Sequence, residues 1–151
     1  MTAFVKTISI FFTCLCATIC SHAASKNPIA GPNGGKLLEN SVARAEFLIA
    51  KDNHVIVSFY DENLKPVPVA EQVVSIIAAP KAGKMVLHLE KKNGALISHE
   101  PLPKSAFFDE YQITVEVKLT AESKAEMFKL RFDLDVCQKC KLKEYACICR
   151  P

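Results

Sequence analysis

YQITVEVKLTAESKAEMFKLRFDLDV, residues 111–136, is the stretch that decides the fold. Tyr111, Ile113, Val115, Val117 and Leu119 alternate with Gln112, Thr114, Glu116 and Lys118. After the polar AESKAE, Phe128, Leu130, Phe132, Leu134 and Val136 alternate with Lys129, Arg131, Asp133 and Asp135. Successive side chains of a strand point to opposite faces, so this period of two predicts two antiparallel strands, each with one buried and one wet face. AESKAE joins them as a loop or a single helical turn. The apolar residues run to Val136, which puts the cysteine-rich end of the chain on a rigid strand edge, outside the core.

Upstream of this pair the same grammar repeats. ARAEFLIA and HVIVSFY flank KDN, a turn-like stretch, and the brief KLLEN precedes them. DENLKPVPV carries two prolines, which exclude a central strand. EQVVSIIAAP is a β-branched run stopped by Pro80, and KMVLHLEKK and ALISHE flank Asn93-Gly94, a strong hairpin signal. No long helical pattern interrupts them. About seven half-apolar strands must cover one face, and a second sheet is the compact way to do so, which predicts an all-β, immunoglobulin-like antiparallel β-sandwich over residues 36–136. A small barrel is the competing arrangement. The chain has no Trp, so the Cys…Trp…Cys signature of antibody domains is absent.

The start has a different character. MTAFVK, the apolar TISIFFTCLCATIC and the small residues of SHAAS read as a secretory signal peptide over residues 1–23. The apolar run is shorter than the roughly 20 residues of a spanning helix. Ile19 stands where a lipobox ending at Cys20 needs a small residue. Residues 24–35, rich in Gly, Pro and Asn, read as an extended lead-in ending in a turn. The expected location is therefore periplasmic or secreted, with no transmembrane segment after cleavage. Lys and Arg total 19 against 16 Asp and Glu. Basic and acidic residues alternate along the strands, so no stripe for nucleic acid forms.

GPNGGKLLE followed by a strand pair and YDENLKPVPV resembles the β-sandwich module of periplasmic adaptor (membrane fusion) proteins of heavy-metal efflux pumps, and small exported stand-alone relatives of it. The residues that carry the resemblance are Gly31, Pro32, Gly34, Gly35, Lys36, Leu37 and Leu38, then Asp61, Lys65, Pro66 and Val67. It spans roughly residues 31 to 120 and implies a metal-handling setting, with an envelope or efflux-system protein as partner. Asn33 stands where those modules often have His, so if that His helps bind metal in them, this chain lacks it. The helical hairpin, lipoyl-like and barrel segments of a full adaptor are absent from the sequence, and the resemblance does not reach the tail.

That tail, residues 137–151, holds the four cysteines left after the leader takes away Cys14, Cys16 and Cys20. CQKCKLKEYACIC places Cys137, Cys140, Cys147 and Cys149 as C-x2-C-x6-C-x-C. Thiolates are soft ligands suited to Zn²⁺ and Cu(I), and four of them complete a tetrahedral site. Lys139, Lys141, Lys143 and Arg150 favour the thiolate form. An exported protein also permits disulfides, and four cysteines allow three connectivities. The competing expectation is thus a metal-free envelope interaction module with a stapled tail. Redox work is a third possibility, disfavoured because a C-x2-C oxidoreductase sets its motif at a helix start.

The Asn93-Gly94 turn yields a second constellation. A two-residue hairpin pairs Lys92 with Ala95, Glu90 with Ile97 and His88 with His99. The histidines then stand opposite with Cβ atoms about 4.5–5.5 Å apart. Glu90 lies two residues along on the same, wet face. His88, Glu90 and His99 are a secondary candidate for Zn²⁺ or Cu²⁺; a solvated polar face is the plainer alternative. His54 opens a strand as a surface residue, and Phe107-Phe108 beside Tyr111 form a strand-edge cluster. No phosphate loop, nucleophile elbow or spaced carboxylate pair announces catalysis. The expectation is an exported, non-catalytic metal-binding protein linked to metal efflux or homeostasis.

Overall fold

A computed structural model describes residues 29–39, 44–104 and 110–149; the leader and the Phe107-Phe108 pair lie outside them. Ten short strands form in chain order: β1 (Lys36–Glu39), β2 (Arg44–Ile49), β3 (Val55–Tyr60), β4 (Pro66–Val67), β5 (Val73–Ala79), β6 (Met85–Leu87), β7 (Leu89–Lys92), β8 (Ala95–Ser98), β9 (Gln112–Lys118) and β10 (Glu126–Arg131). One sheet runs β1-β2-β3-β8-β7, with β4 also on β3; the other runs β10-β9-β5-β6. Every pairing is antiparallel, and the apolar faces of the two sheets close on each other as a sandwich.

As far as Phe132 the deciding stretch behaves as its alternation requires. Ile113, Val115 and Val117 of β9 are buried, and β10 pairs with it from Glu126↔Val117 to Arg131↔Gln112. Phe132 stacks on Tyr111 with ring centroids 4.6 Å apart. AESKAE is a turn held by Ser123, whose amide and hydroxyl both donate to the Thr120 carbonyl. Lys51–Asn53 is the expected turn, with Asn53 in the left-handed region at φ 67°. Pro66 sits in a two-residue strand at the sheet margin, where its missing N–H is tolerated.

The strand number exceeds the expected seven in part because KMVLHLEKK is split and in part because Pro66–Val67 adds a short strand. Its first half, β6, pairs with β5, whereas its second half, β7, pairs with β8 in the other sheet. His88 is the corner where the chain changes sheets. The Asn93-Gly94 register is the expected one, from Lys92↔Ala95 to Leu89↔Ser98, and the His99 amide extends it by donating to the His88 carbonyl at 2.8 Å.

The end of the chain departs from expectation. β10 stops at Arg131, and Val136 is exposed rather than inward. From Asp133 the chain folds back as an irregular hairpin: the Tyr145 amide donates to Asp133 O, Glu144 to Asp135 O, and Cys137 to Leu142 O. The tail is therefore not outside the core. Tyr145 and Ala146, in a short 3₁₀ turn over Glu144–Ala146, are both buried in the main apolar cluster. Tyr145 meets Phe47 edge-on at 6.1 Å, and its hydroxyl accepts the Ile49 amide at 2.9 Å. That amide lies beyond the reach of β1, whose pairing with β2 begins at Lys36↔Phe47, so the tyrosine satisfies a donor that the sheet leaves open. Among the described residues, no helix is long and apolar enough to cross a membrane.

Candidate metal centre

The back-folded hairpin brings the four thiols together. Cys137 and Cys140 flank a tight turn in which the Lys141 amide returns to the Cys137 carbonyl at 2.9 Å. Lys141 completes the turn in the left-handed region at φ 62°, an uncommon setting for a lysine. The 3₁₀ turn then delivers Cys147, whose amide donates to the Glu144 carbonyl, and a bend at Ile148 carries the chain to Cys149. The Sγ atoms of Cys137, Cys140, Cys147 and Cys149 all lie within 4.8 Å of one another. Cys147 Sγ stands 3.5 Å from Cys137 Sγ and 3.8 Å from Cys140 Sγ.

These distances bear on two chemistries. A disulfide requires sulfurs about 2.05 Å apart. A tetrahedral ion with metal–sulfur bonds of about 2.3 Å places its ligands about 3.8 Å apart. All four cysteines are free thiols, and the two Cys147 distances are close to a tetrahedron's edge. The donor set therefore fits a soft ion, and its burial is graded: Cys137 and Cys147 are buried, Cys140 is half-buried and Cys149 is exposed.

The thiols differ in acidity. The Ile148 and Leu142 amides point at Cys140 and lower its pKa to about 6. Loss of solvent and the neighbouring Cys140 and Cys137 sulfurs push Cys149 up to about 12. For Cys147, the Cys149 amide acts downward, but desolvation and the same neighbouring sulfurs outweigh it and raise the thiol. Four thiolates so close repel one another, and a cation at their centre relieves that repulsion.

A second device, not foreseen from the sequence, supports the centre from below. Glu46 is 1 % exposed, yet its carboxylate is fully used. Oε1 accepts the amides of Asn33 and Gly35 at 2.9 and 2.8 Å. Oε2 accepts Asn33 Nδ2 and the Tyr60 hydroxyl, each at 2.8 Å. The GPNGG turn is thereby folded onto the outer face of β2. It fits only because Gly31 and Gly35 lack side chains: a Cβ on Gly31 would fall 2.3 Å from Glu46 Oε1, and one on Gly35 would fall 2.5 Å from the Phe47 carbonyl oxygen. The tail lies against this turn. Leu142 Cδ2 comes within 3.8 Å of where a Gly34 Cβ would stand, and Lys36 Nζ donates to the Cys147 carbonyl at 3.4 Å. The sequence did carry a signal, a lone carboxylate in the apolar ARAEFLIA and a glycine-dense turn that permits close backbone approach.

His88 and His99 stand opposite each other, but each ring is directed to a carboxylate. His88 Nδ1 is 3.2 Å from Glu100 Oε1, and His99 Nε2 is 3.6 Å from Glu90 Oε2. Among the described residues, only the four cysteines bring three or more ligand atoms to metal-binding distance. Comparison with protein-family models, curated proteins and solved structures finds no match for this chain.

Proposed function

We propose that this chain is an exported, non-catalytic protein that holds one soft transition-metal ion, Zn²⁺ or Cu(I), on Cys137, Cys140, Cys147 and Cys149. The observation that carries the reading is the convergence of four free thiols to within 4.8 Å. Four ligands from one chain close the coordination sphere and leave no position for a substrate, which favours holding an ion over catalysis. The tetrahedral spacing favours Zn²⁺ as the first candidate, with Cu(I) served by the same thiolates. The leader-like start supports an exported location. The GPNGG and Lys-Pro-Val resemblance supports a role beside a metal efflux or homeostasis system, with an envelope protein as partner. In this chain the Asn33 side chain is engaged by Glu46 and Tyr60, so the turn acts as a clasp and the tail alone supplies sulfur.

Cobalt titration of the reduced protein tests the reading. One equivalent of Co²⁺ should give intense sulfur-to-cobalt charge transfer with tetrahedral visible bands, displaced by Zn²⁺. Because the thiols must lose their protons to bind, acidification should release the ion, with affinity falling as pH falls. A weak octahedral spectrum without charge transfer would defeat the assignment.

A further inference from the structure

We infer that His88 and His99, steered by Glu100 and Glu90, form a second and exchangeable site for a borderline divalent ion, separate in chemistry from the thiolate centre. The hairpin register and the His99 amide's bond to the His88 carbonyl set the two histidines opposite each other at the sheet-switching corner. Opposed residues of an antiparallel pair project from the same face with Cβ atoms about 4.5–5.5 Å apart, within reach of one ion held by two imidazoles. Both rings are open to solvent, at 76 % and 53 % exposure, so an ion enters without unfolding anything.

The carboxylates are what raise this pair above two chance surface histidines. Glu100 is fixed twice to His88, through the backbone amide at 3.2 Å and through ring Nδ1 at 3.2 Å. Glu90 faces Nε2 of His99. A ring nitrogen that donates to a carboxylate keeps its proton there, which leaves the other nitrogen with a free lone pair. His88 therefore offers Nε2; Glu90 lies 3.6 Å from His99 Nε2, too far to fix a proton there, so either ring nitrogen of His99 is open to the ion. A carboxylate behind a ligating imidazole orients the ring and raises its basicity. Two imidazoles with carboxylates at hand suit Ni²⁺, Cu²⁺ or Zn²⁺, whereas Cu(I) prefers the sulfurs. Exposure and the small number of ligands make the ion exchangeable.

The test uses the full chain with zinc already supplied to the cysteines, and Ni²⁺ as the probe. Paramagnetic broadening of backbone amide signals should saturate and be confined to residues 87–90 and 98–100. It should vanish in His88→Ala and in His99→Ala, exposed positions where alanine leaves the fold intact, and persist in His54→Ala. Glu100→Gln, which keeps the shape but weakens the support of the ring, should lower the affinity about 10-fold. Broadening that survives either alanine variant, that centres on His54 or the cysteine tail, or that never appears would overturn the assignment.

Discussion

Removing the metal is expected to destabilise the whole sandwich, not the tail alone. If free metal is roughly 1,000-fold above its Kd, binding to the folded state contributes about 4 kcal/mol, and chelation should remove that amount in urea unfolding. The coupling runs through Tyr145 and Ala146, buried in the main core two and one residues before Cys147. Without an ion nothing ties the four sulfurs together, the back-folded hairpin loosens, and the Tyr145 hydroxyl leaves the Ile49 amide without a partner. Cys147→Ala should reproduce the loss and make the protein insensitive to chelator, because Cys147 lies close to both Cys137 and Cys140. Unfolding that is identical with and without metal would mean that the tail is energetically independent of the sheets.

Glu46→Ala should also be damaging although it lies at no ligand position. Two backbone donors, the amides of Asn33 and Gly35, would lose their acceptor beneath the turn. The Gly35 amide is buried, and left unpaired it costs about 1–3 kcal/mol, whereas Asn33 is exposed and its amide can turn to water, so the variant should sit about 1–3 kcal/mol below the parent in denaturant unfolding. Glu46→Gln keeps one acceptor oxygen and should cost less. A second readout isolates the clasp. Burial, together with the Glu46 carboxylate, pushes the Tyr60 phenol up to about 12. A raised folded pKa means that the neutral phenol is the form the fold requires. Its stabilising share is therefore complete below the unfolded value of about 10 and is lost as pH rises through about 12. Removing the carboxylate should bring phenolate absorbance from Tyr60 to lower pH. An unchanged titration together with unchanged stability would show that the clasp is incidental.

The sequence was most informative where its pattern repeats locally. Residues 111–132 alternate because one face of each strand meets the other sheet, and Asn93-Gly94 sets the hairpin register through its own backbone geometry. The switch at His88 was hidden because both halves of KMVLHLEKK alternate in the same way, and nothing local states which strand each half will pair with. Glu46 was hidden for a related reason. Alternation places it correctly on the face opposite the core, but what covers that face comes from a different part of the chain. In the tail the cysteine spacing identified the four sulfurs. The apolar Tyr145-Ala146 pair between them was the one sign that the chain turns back into the core, against the reading of Val136 as an inward residue.

The central claim is that the four C-terminal cysteines hold an ion as thiolates, and the intact mass of the protein isolated without reductant or chelator tests it most directly. The predicted result is a native mass heavier by one metal ion and, once denatured, alkylation of Cys137, Cys140, Cys147 and Cys149. A denatured mass four hydrogens light, with no alkylation and no metal, would contradict it and make the tail a pair of disulfides.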